Sequence, residues 1–439
     1  MSPAAAIAVR PAWGGRVAAG GLGGWPSTPW RRAGTLRAMP AEAAMANDAR
    51  RLSGDALAAA LRDSRATTLR RVLDASDDAW LVPRQRGINP VAWELGHLAW
   101  FAEFWILRGP HALRDDGLVD AARPPRIAGP DAVFDSARLG HDVRWGTPLP
   151  ARAELLGMLE RQLDACIDAI PPSSDDAALY FHRLSLFHED MHGEAFAWLR
   201  ATLEWPAPDG VAALRSLPEG GSLRIDACDV VLGRGEDEAG FSFDNEQPKT
   251  PTRVAAFEID RAPLSAGAFA RFVDAGGYDD AALWPGAAGL WRAQAGRAQP
   301  LRWRRAAAGG WESRWFDRWL PLDAGAPLIH VNAWEAEAYC RWAGRRLPTA
   351  AEWQAAARQP RFHWGGSVWE WTASAFEPYP GFRAGPYSDY SRPWFGDHRE
   401  LRGGSFATHP RLHDLAYRNF FTPERADVFA GFRTVAMPS

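Results

Sequence analysis

The pattern of the chain changes abruptly at residues 206–221, and this change restricts the folds that the chain can adopt. Before this segment, apolar residues recur at helical spacing over long stretches, whereas after it short runs typical of strands alternate with Gly, Pro and Trp. Helical bundles and strand-rich domains bury apolar surface in different ways, so we expect two domains. The predicted organisation is a helical domain over residues 45–205, a linker over 206–221 and a second domain over 222–439.

The helical domain is predicted to be a four-helix bundle, because four segments with apolar stripes are each ended by Gly or Pro. Ser53 is a suitable N-cap for the first segment, and Asn89-Pro90 opens the second. A long connection separates the second segment from the third. The predicted helices cover residues 55–75, 91–108, 151–170 and 176–204.

The second domain is predicted to be α+β with much irregular structure. We expect strands over residues 223–225, 230–232 and 253–259, and helices over 262–275, 333–342 and 350–358. The chain contains 23 Trp, and we expect most of those in this domain to be packed around tight, Gly-rich turns.

Residues 1–44 resemble neither domain. They carry several Arg and little acid, and they lack apolar periodicity. We expect a disordered extension, or a translated leader upstream of a start at Met45.

The composition excludes several functional classes. A formal net charge of −3 argues against nucleic acid or an anionic membrane surface as the main partner. No apolar run reaches the roughly 18–20 residues that a membrane span needs. Three Cys cannot build a disulfide scaffold, and they fit a reducing compartment, so we expect a cytoplasmic protein.

The sharpest candidate site is on the fourth predicted helix. His188 and His192 are four residues apart and project from one face, so both imidazoles can reach one metal ion. His97 lies in the middle of the second helix and completes a neutral three-imidazole set that suits Zn or Fe(II). Glu189 and Glu194 are expected either to orient an imidazole or to be paired elsewhere.

Residues 188–192 (HEDMH) also match the zinc-protease pattern, in which Glu189 would be the general base. The extended metzincin pattern requires Gly where Ala195 stands, and a third ligand on a second helix is foreign to that site. We therefore do not expect a protease.

Several strings in the second half are highly specific together. They are NEQP at 245–248, WAGRRLPTAAEW at 342–353, WEW at 369–371, LRGGSFAT at 401–408, YRNF at 417–420 and GFR at 431–433. This half resembles the formylglycine-generating-enzyme-like domain, a variant of the C-type-lectin fold. The first half resembles a DinB-like bundle, and the combined α + (α+β) architecture is similar to that of the ergothioneine-type sulfoxide synthases.

The resemblance implies an enzyme in which His97, His188 and His192 hold Fe(II). The iron uses O₂ to join a sulfur or selenium donor to the imidazole carbon of hercynine, which is trimethylhistidine. The substrate-binding residues that it implies are Phe406, Arg411, Trp369 and Arg138. Tyr379 and Tyr417 are candidates for a catalytic Tyr that gives a proton or hydrogen atom in some members.

Two departures from the family favour one branch. Met191 stands where sulfoxide synthases usually carry Gln, and Ala407 stands where users of γ-glutamylcysteine want an acid. Residues 187–196 resemble the selenoneine synthase branch, whose donor is a selenosugar. The alternatives are ergothioneine synthesis from cysteine or γ-glutamylcysteine, and a non-catalytic protein that binds a small cation. Formylglycine generation needs a late Cys pair, and no Cys follows Cys340.

Overall fold

The structure is a computed structural model that describes residues 48–438, apart from residues 212, 213, 215, 218 and 219. All of these residues belong to one compact unit. The extension predicted over residues 1–44 and part of the predicted linker lie outside the described residues.

The first half is helical, as predicted. Helix α1 is Gly54–Arg70, α2 is Val91–Ala102, α3 is Arg152–Asp168 and α4 is Asp176–Thr202. Helix α2 continues as a π-helical segment, Glu103–Leu107. Helix α4 is capped by Asp175, whose carboxylate accepts a hydrogen bond from the backbone N–H of Ala178. Helices α1 and α3 end a few residues before the predicted positions.

Packing in the bundle brings α2 and α4 face to face. Helix α4 contacts both α1 and α2, and α2 also contacts α3. The core contains buried aromatic and aliphatic side chains from α2, α3 and α4, including Trp93, Leu98, Leu159 and Phe187, and α1 contributes to a second apolar cluster. The middle of α2 and the middle of α4, which carry the three His, therefore lie together in the interior.

The long connection between α2 and α3 is folded against α2. It contains a hairpin of β1, His111–Leu113, and β2, Val119–Ala121, followed by a helical turn, Asp131–Phe134. Phe134 lies directly against Gly96: a Cβ placed on Gly96 would be 2.1 Å from the Phe134 ring. Glycine at this position allows the connection to approach the His97 side of the helix.

The second half contains four sheets among its described residues. The first strands are β3, Ser222–Ile225; β4, Cys228–Leu232; β5, Thr250–Val254; β6, Phe257–Asp260; β7, Trp303–Arg305; β8, Trp311–Trp315; and β9, Arg318–Pro321. The later ones are β10, Arg345–Arg346; β11, Trp369–Ala375; β12, Arg399–Arg402; β13, Asn419–Phe421; β14, Ala430–Gly431; and β15, Val435–Ala436. One sheet has the order β10-β15-β6-β3 and another the order β13-β12-β11-β14, while β4 pairs with β5, and β7, β8 and β9 form a meander.

The short helices of this half are α5, Ala266–Asp274; α6, Ala287–Ala295; α7, Ala333–Trp342; and α8, Ala350–Ala357. Helices α7 and α8 lie where they were predicted, and α6 was missed. The single strand predicted over 253–259 is wrong, because Ala255 and Ala256 are not part of a strand, and β5 and β6 belong to different sheets.

A buried polar cluster joins the two halves. Glu194 on α4 accepts hydrogen bonds from Trp369 Nε1 at 2.9 Å, Ser405 Oγ at 2.6 Å and Thr408 Oγ1 at 2.7 Å. All four side chains are buried. The helix that carries two of the His is thereby fixed to the loop after β12. In the described part of the chain, no helix is long and apolar enough to cross a membrane.

Candidate metal centre

The three His predicted from the sequence meet in the bundle interior. One ligand atom from each of His97, His188 and His192 lies within 4.8 Å of the other two. His97 Nε2 and His188 Nε2 are 3.3 Å apart, and the centroids of the His188 and His192 rings are 4.5 Å apart. The i,i+4 spacing on α4 supplies one pair of rings, and α2 supplies the third from the facing helix.

Two of the rings are oriented through their second nitrogen. His97 Nδ1 donates to the carbonyl of Phe134 at 2.7 Å, and His192 Nδ1 donates to Glu94 Oε1 at 2.8 Å. Glu94 is buried and also accepts from Asn89 Nδ2 at 3.1 Å. With Nδ1 protonated, Nε2 of each ring keeps its lone pair for a metal ion.

Burial keeps the imidazoles of His97 and His188 neutral. The pKa of His97 falls to about 3, because burial disfavours the imidazolium and the nearby His192 adds repulsion. The pKa of His188 is also well below its usual value, again from burial first and then from its two His neighbours. Neutral nitrogen ligands in a closed cluster fit a divalent metal such as Zn or Fe(II).

Of the two alternatives expected for Glu189 and Glu194, the structure shows the second, because both carboxylates are paired away from the three imidazoles. Glu189 is paired with Arg65, with a distance of 2.6 Å from Oε1 to Arg65 Nε. Glu194 binds the loop after β12, as described above. Glu94 performs the orienting role instead, and its position three residues before His97 on α2 was the signal that could have identified it.

A narrow cavity adjoins the cluster. Its open volume is about 20 Å³, enough for one water molecule. Its walls come from α2, from the long connection and from the segment between β11 and β12. The lining residues are His97, Trp100, Phe101, Phe104, Trp105, Val119, Asp135, Ser136, Ala137, Tyr387, Ser388 and Asp389. Both halves of the chain therefore contribute to the space beside the three His.

Tyr387 is a site residue that the sequence did not reveal. Its ring lies edge-on to Phe101 at 5.0 Å and 6.2 Å from the His188 ring, between centroids. Burial raises the pKa of its phenol, so the group stays protonated at neutral pH. Among the described residues its hydroxyl makes no hydrogen bond. It lies in an irregular segment, where no periodicity indicates which side chain faces the bundle.

The two predicted aromatic residues lie outside this cavity. Trp369 is buried, donates to Glu194 and lies 5.7 Å from Tyr417 between ring centroids. Phe406 is packed between Trp315 and Phe429, at centroid distances of 5.0 and 4.5 Å. Their substrate-binding roles stay predictions, and neither lines the space beside the three His.

The two predicted arginines are each held by two carboxylates. Arg138 donates to Asp135 at 3.0 Å and to Asp120 at 2.8 Å. Arg411 donates to Asp190 at 2.8 and 2.9 Å and to Asp63 at 2.9 Å. Asp135 lines the cavity, so Arg138 lies just behind the wall rather than in it.

The two candidate tyrosines differ in position. Tyr379 belongs to a separate apolar cluster, and its hydroxyl accepts from Arg402 at 3.4 Å. The Tyr417 hydroxyl is 3.4 Å from that of Tyr390, which in turn lies 3.6 Å from Met191 Sδ. Tyr417 is thus linked to the residue before His192, whereas Tyr379 has no such link among the described residues.

Comparison with known protein families agrees with both halves. Residues 60–199 match the DinB superfamily, and residues 218–367 and 362–438 match the Sulfatase-modifying factor enzyme 1-like domain. The α + (α+β) fold class predicted from the sequence is therefore confirmed.

Similarity to individual proteins extends across the chain. The hercynine oxygenase of Mycobacterium tuberculosis is 32% identical over 434 residues, which cover 87% of this chain and 98% of that protein. The hercynine oxygenase of Mycolicibacterium smegmatis is 30% identical, with 87% and 99% covered. The formylglycine-generating enzyme of Streptomyces coelicolor is 27% identical over 52% of this chain and 94% of that protein. Because the first two matches span both halves, the chain belongs to the hercynine oxygenase family.

Proposed function

We propose that this chain is an oxygen-dependent, non-haem iron enzyme that acts on hercynine and forms a C–Se bond between its imidazole carbon and a selenosugar. The observation that carries the proposal is a three-imidazole cluster beside an aromatic, acidic cavity. The substrate follows from the family, whose members above are named hercynine oxygenases.

His97, His188 and His192 would hold the iron. When bound, Fe(II) with three protein ligands supplies open positions and electrons for O₂ chemistry. The Phe134 carbonyl and the Glu94 carboxylate fix the directions of the His97 and His192 lone pairs. A metal held by these residues would adjoin the cavity, because His97 also lines it.

The cavity chemistry suits hercynine. Its trimethylammonium group is attracted to aromatic rings by the ring quadrupole, and the rings of Trp100, Phe101 and Trp105 line the cavity. Asp389 adds negative charge at the same wall, where Asp135 is already paired with Arg138. Because the open volume holds only one water molecule, the aromatic side chains must separate when the substrate binds.

Tyr387 is proposed as the proton donor at this site. Its hydroxyl has no partner among the described residues and its ring adjoins that of His188. The raised pKa keeps the phenol protonated at neutral pH, so it holds a proton for a strongly basic group formed during the reaction. A positioned acid of this kind contributes about 10²–10⁴-fold to a rate.

The charge at the site favours an uncharged donor. γ-Glutamylcysteine carries two carboxylates and an amine, and would need cations and an acid to pair with them. Arg138 and Arg411 are each neutralised by two carboxylates, and Ala407 supplies no acid. Ser136 and Ser388 line the cavity and suit sugar hydroxyls.

The proposed reaction balances with O₂ as the oxidant. The imidazole C–H and the selenol Se–H bonds break, and a C–Se bond forms. One oxygen atom goes to selenium and the other to water, so that the selenol, hercynine and O₂ give a selenoxide and H₂O. We place this chemistry in the cytoplasm, where buried, unpaired Cys166 and Cys340 fit a reducing environment.

A competition assay tests the donor. Iron-loaded enzyme receives hercynine under air with equal concentrations of selenosugar, cysteine and γ-glutamylcysteine, and the products are counted by mass spectrometry. We expect the selenosugar adduct to dominate. Preference for cysteine or γ-glutamylcysteine would contradict the donor and support ergothioneine synthesis. Hercynine binding without any adduct would support the non-catalytic alternative.

A further inference from the structure

A second cavity lies away from the His cluster, between the β7–β9 meander and residues 326–330. Its open volume is about 110 Å³, several times the roughly 10–15 Å³ that one water needs. Its lining includes Arg302, Trp303, Ser313, Arg314, Trp315 and His330. Neither the family match nor the proposed function assigns a role to it.

The backbone around this cavity is strained. The non-glycine residues with positive φ in the described chain are Glu204, Arg302, Phe316 and His330, at 58°, 71°, 55° and 63°. Arg302 and His330 line the cavity, Phe316 follows the lining residue Trp315, and Glu204 pairs with the lining residue Arg314. Such strain persists where the surrounding structure imposes it, and it concentrates at binding and catalytic sites.

Arg302 is a buried cation without a paired anion. It is 8% exposed, and no carboxylate of the described residues lies within 4.0 Å of its guanidinium. Its Nη1 donates to His330 Nε2 at 2.8 Å and its Nη2 donates to Thr202 Oγ1 at 3.0 Å, both neutral acceptors. His330 Nδ1 donates to the Ala426 carbonyl at 3.2 Å, which fixes Nε2 as the acceptor.

Arg314 places a second guanidinium nearby. Its Nε is buried without a hydrogen-bond partner, and its Nη1 pairs with Glu204, whose side chain is 61% exposed. Burial, with a smaller contribution from Arg314, lowers the pKa of Arg302 to about 10. Two desolvated cations therefore face the same space with little compensating negative charge.

The acidic residues nearby have other partners. Asp323 lines the cavity, but it accepts hydrogen bonds from Ser216 Oγ at 3.0 Å and from the Gly325 backbone N–H at 2.9 Å. Asp427 accepts two bonds of 2.7 Å from Arg425. Neither Asp323 nor Asp427 pairs with these guanidinium groups, so Arg302 has no carboxylate partner among the described residues, and Arg314 is paired only with the exposed Glu204.

We propose that this cavity binds a small anion, a carboxylate or phosphate group, between Arg302 and Arg314. Guanidinium groups bind both anions through paired N–H···O bonds, which is why Arg dominates such sites. The Ser313 side chain lies at the same wall, and Trp303 and Trp315 supply apolar walls for the rest of a ligand.

The test is calorimetric titration of the full, iron-loaded protein with inorganic phosphate and with acetate, at constant ionic strength in chloride. We expect saturable binding of at least one anion. Arg302→Met and Arg314→Gln should each weaken it about tenfold or more, because each removes a charge-assisted bond. Arg318→Gln is the matched control, since Arg318 is on the same meander but is 67% exposed.

Absence of saturable heat with both anions in the wild type would overturn the proposal. Unchanged affinity in Arg314→Gln would also overturn it, and this variant carries the test if Arg302→Met does not fold. Binding of phosphate but not acetate would assign the cavity to phosphate groups, and binding of acetate would assign it to carboxylates as well. Neither result depends on hercynine turnover.

Discussion

Glu94 Oε1 accepts a hydrogen bond of 2.8 Å from His192 Nδ1, across the interface between α2 and α4. This contact ties a carboxylate of one helix to an imidazole of the other, on the side of the ring away from the metal-binding nitrogen. It sets the His192 tautomer while the Phe134 carbonyl does the same for His97.

Replacing Glu94 should therefore weaken metal binding. We expect Glu94→Ala to lower iron affinity by about 10–100-fold, the usual effect of losing a partner of a ligand His. Glu94→Gln keeps an acceptor oxygen and should lose less. Affinity is measured by competition with a chelator, with exposed Glu154→Gln as the control. Equal iron affinity in Glu94→Ala and wild type would contradict the orienting role.

Gly96→Ala should destabilise the fold. The new Cβ would lie 2.1 Å from the Phe134 ring, so the long connection must shift. Overpacking of this kind costs about 1–3 kcal/mol. Urea unfolding measures the effect. In Gly140→Ala the new Cβ meets nothing within 4 Å, and this control should remain at wild-type stability.

Acid should destabilise the protein through buried His413. Burial lowers its pKa to about 4, whereas an unfolded His titrates near 6.5. The unfolded state therefore binds more protons between these values, and stability is lost as the pH falls from 6.5 toward 4. Between pH 7 and pH 5, His413 should account for about 2 kcal/mol of the loss in unfolding free energy.

Urea unfolding of wild type and His413→Leu at both pH values measures this contribution. The variant should lose about 2 kcal/mol less than wild type on acidification. An identical loss in the two proteins would show that His413 does not remain neutral in the folded state.

Tyr387→Phe separates the tyrosine at the cavity from the two tyrosines suggested by the sequence. Loss of the hydroxyl should lower turnover about 10²-fold or more and leave hercynine affinity largely intact. Tyr379→Phe should change turnover much less, because Tyr379 lies in another apolar cluster. Steady-state kinetics and hercynine titration check both, and a larger loss in Tyr379→Phe would move the role to that residue.

The sequence predicts the cluster of three His better than the cavity beside it. The spacing of His188 and His192 follows from helix geometry alone, and a third His on a facing helix follows from bundle packing. The positions of Glu94 and Tyr387 depend on how α2 meets α4 and how an irregular segment lies against the bundle. No local periodicity encodes either, so only the fold reveals them.

Charge pairing is another property that the sequence does not reveal. The substrate-binding roles of Arg138 and Arg411 stay predictions, but the sequence did not indicate that carboxylates pair with both side chains. Asp120 lies on β2, eighteen residues before Arg138, and Asp190 is on a different half of the chain from Arg411. Neutralisation of these cations is thus a tertiary effect.

The most direct test of the account is hercynine consumption under air by iron-loaded protein with the selenosugar donor, in wild type and in His192→Ala. His182→Gln is the matched control, since His182 is buried on the same helix and its Nε2 is hydrogen-bonded to the backbone carbonyl of Cys166 and not to the three-His cluster. We predict that wild type and His182→Gln consume hercynine while His192→Ala consumes none. Hercynine turnover at the wild-type rate in His192→Ala would contradict the proposed metal centre.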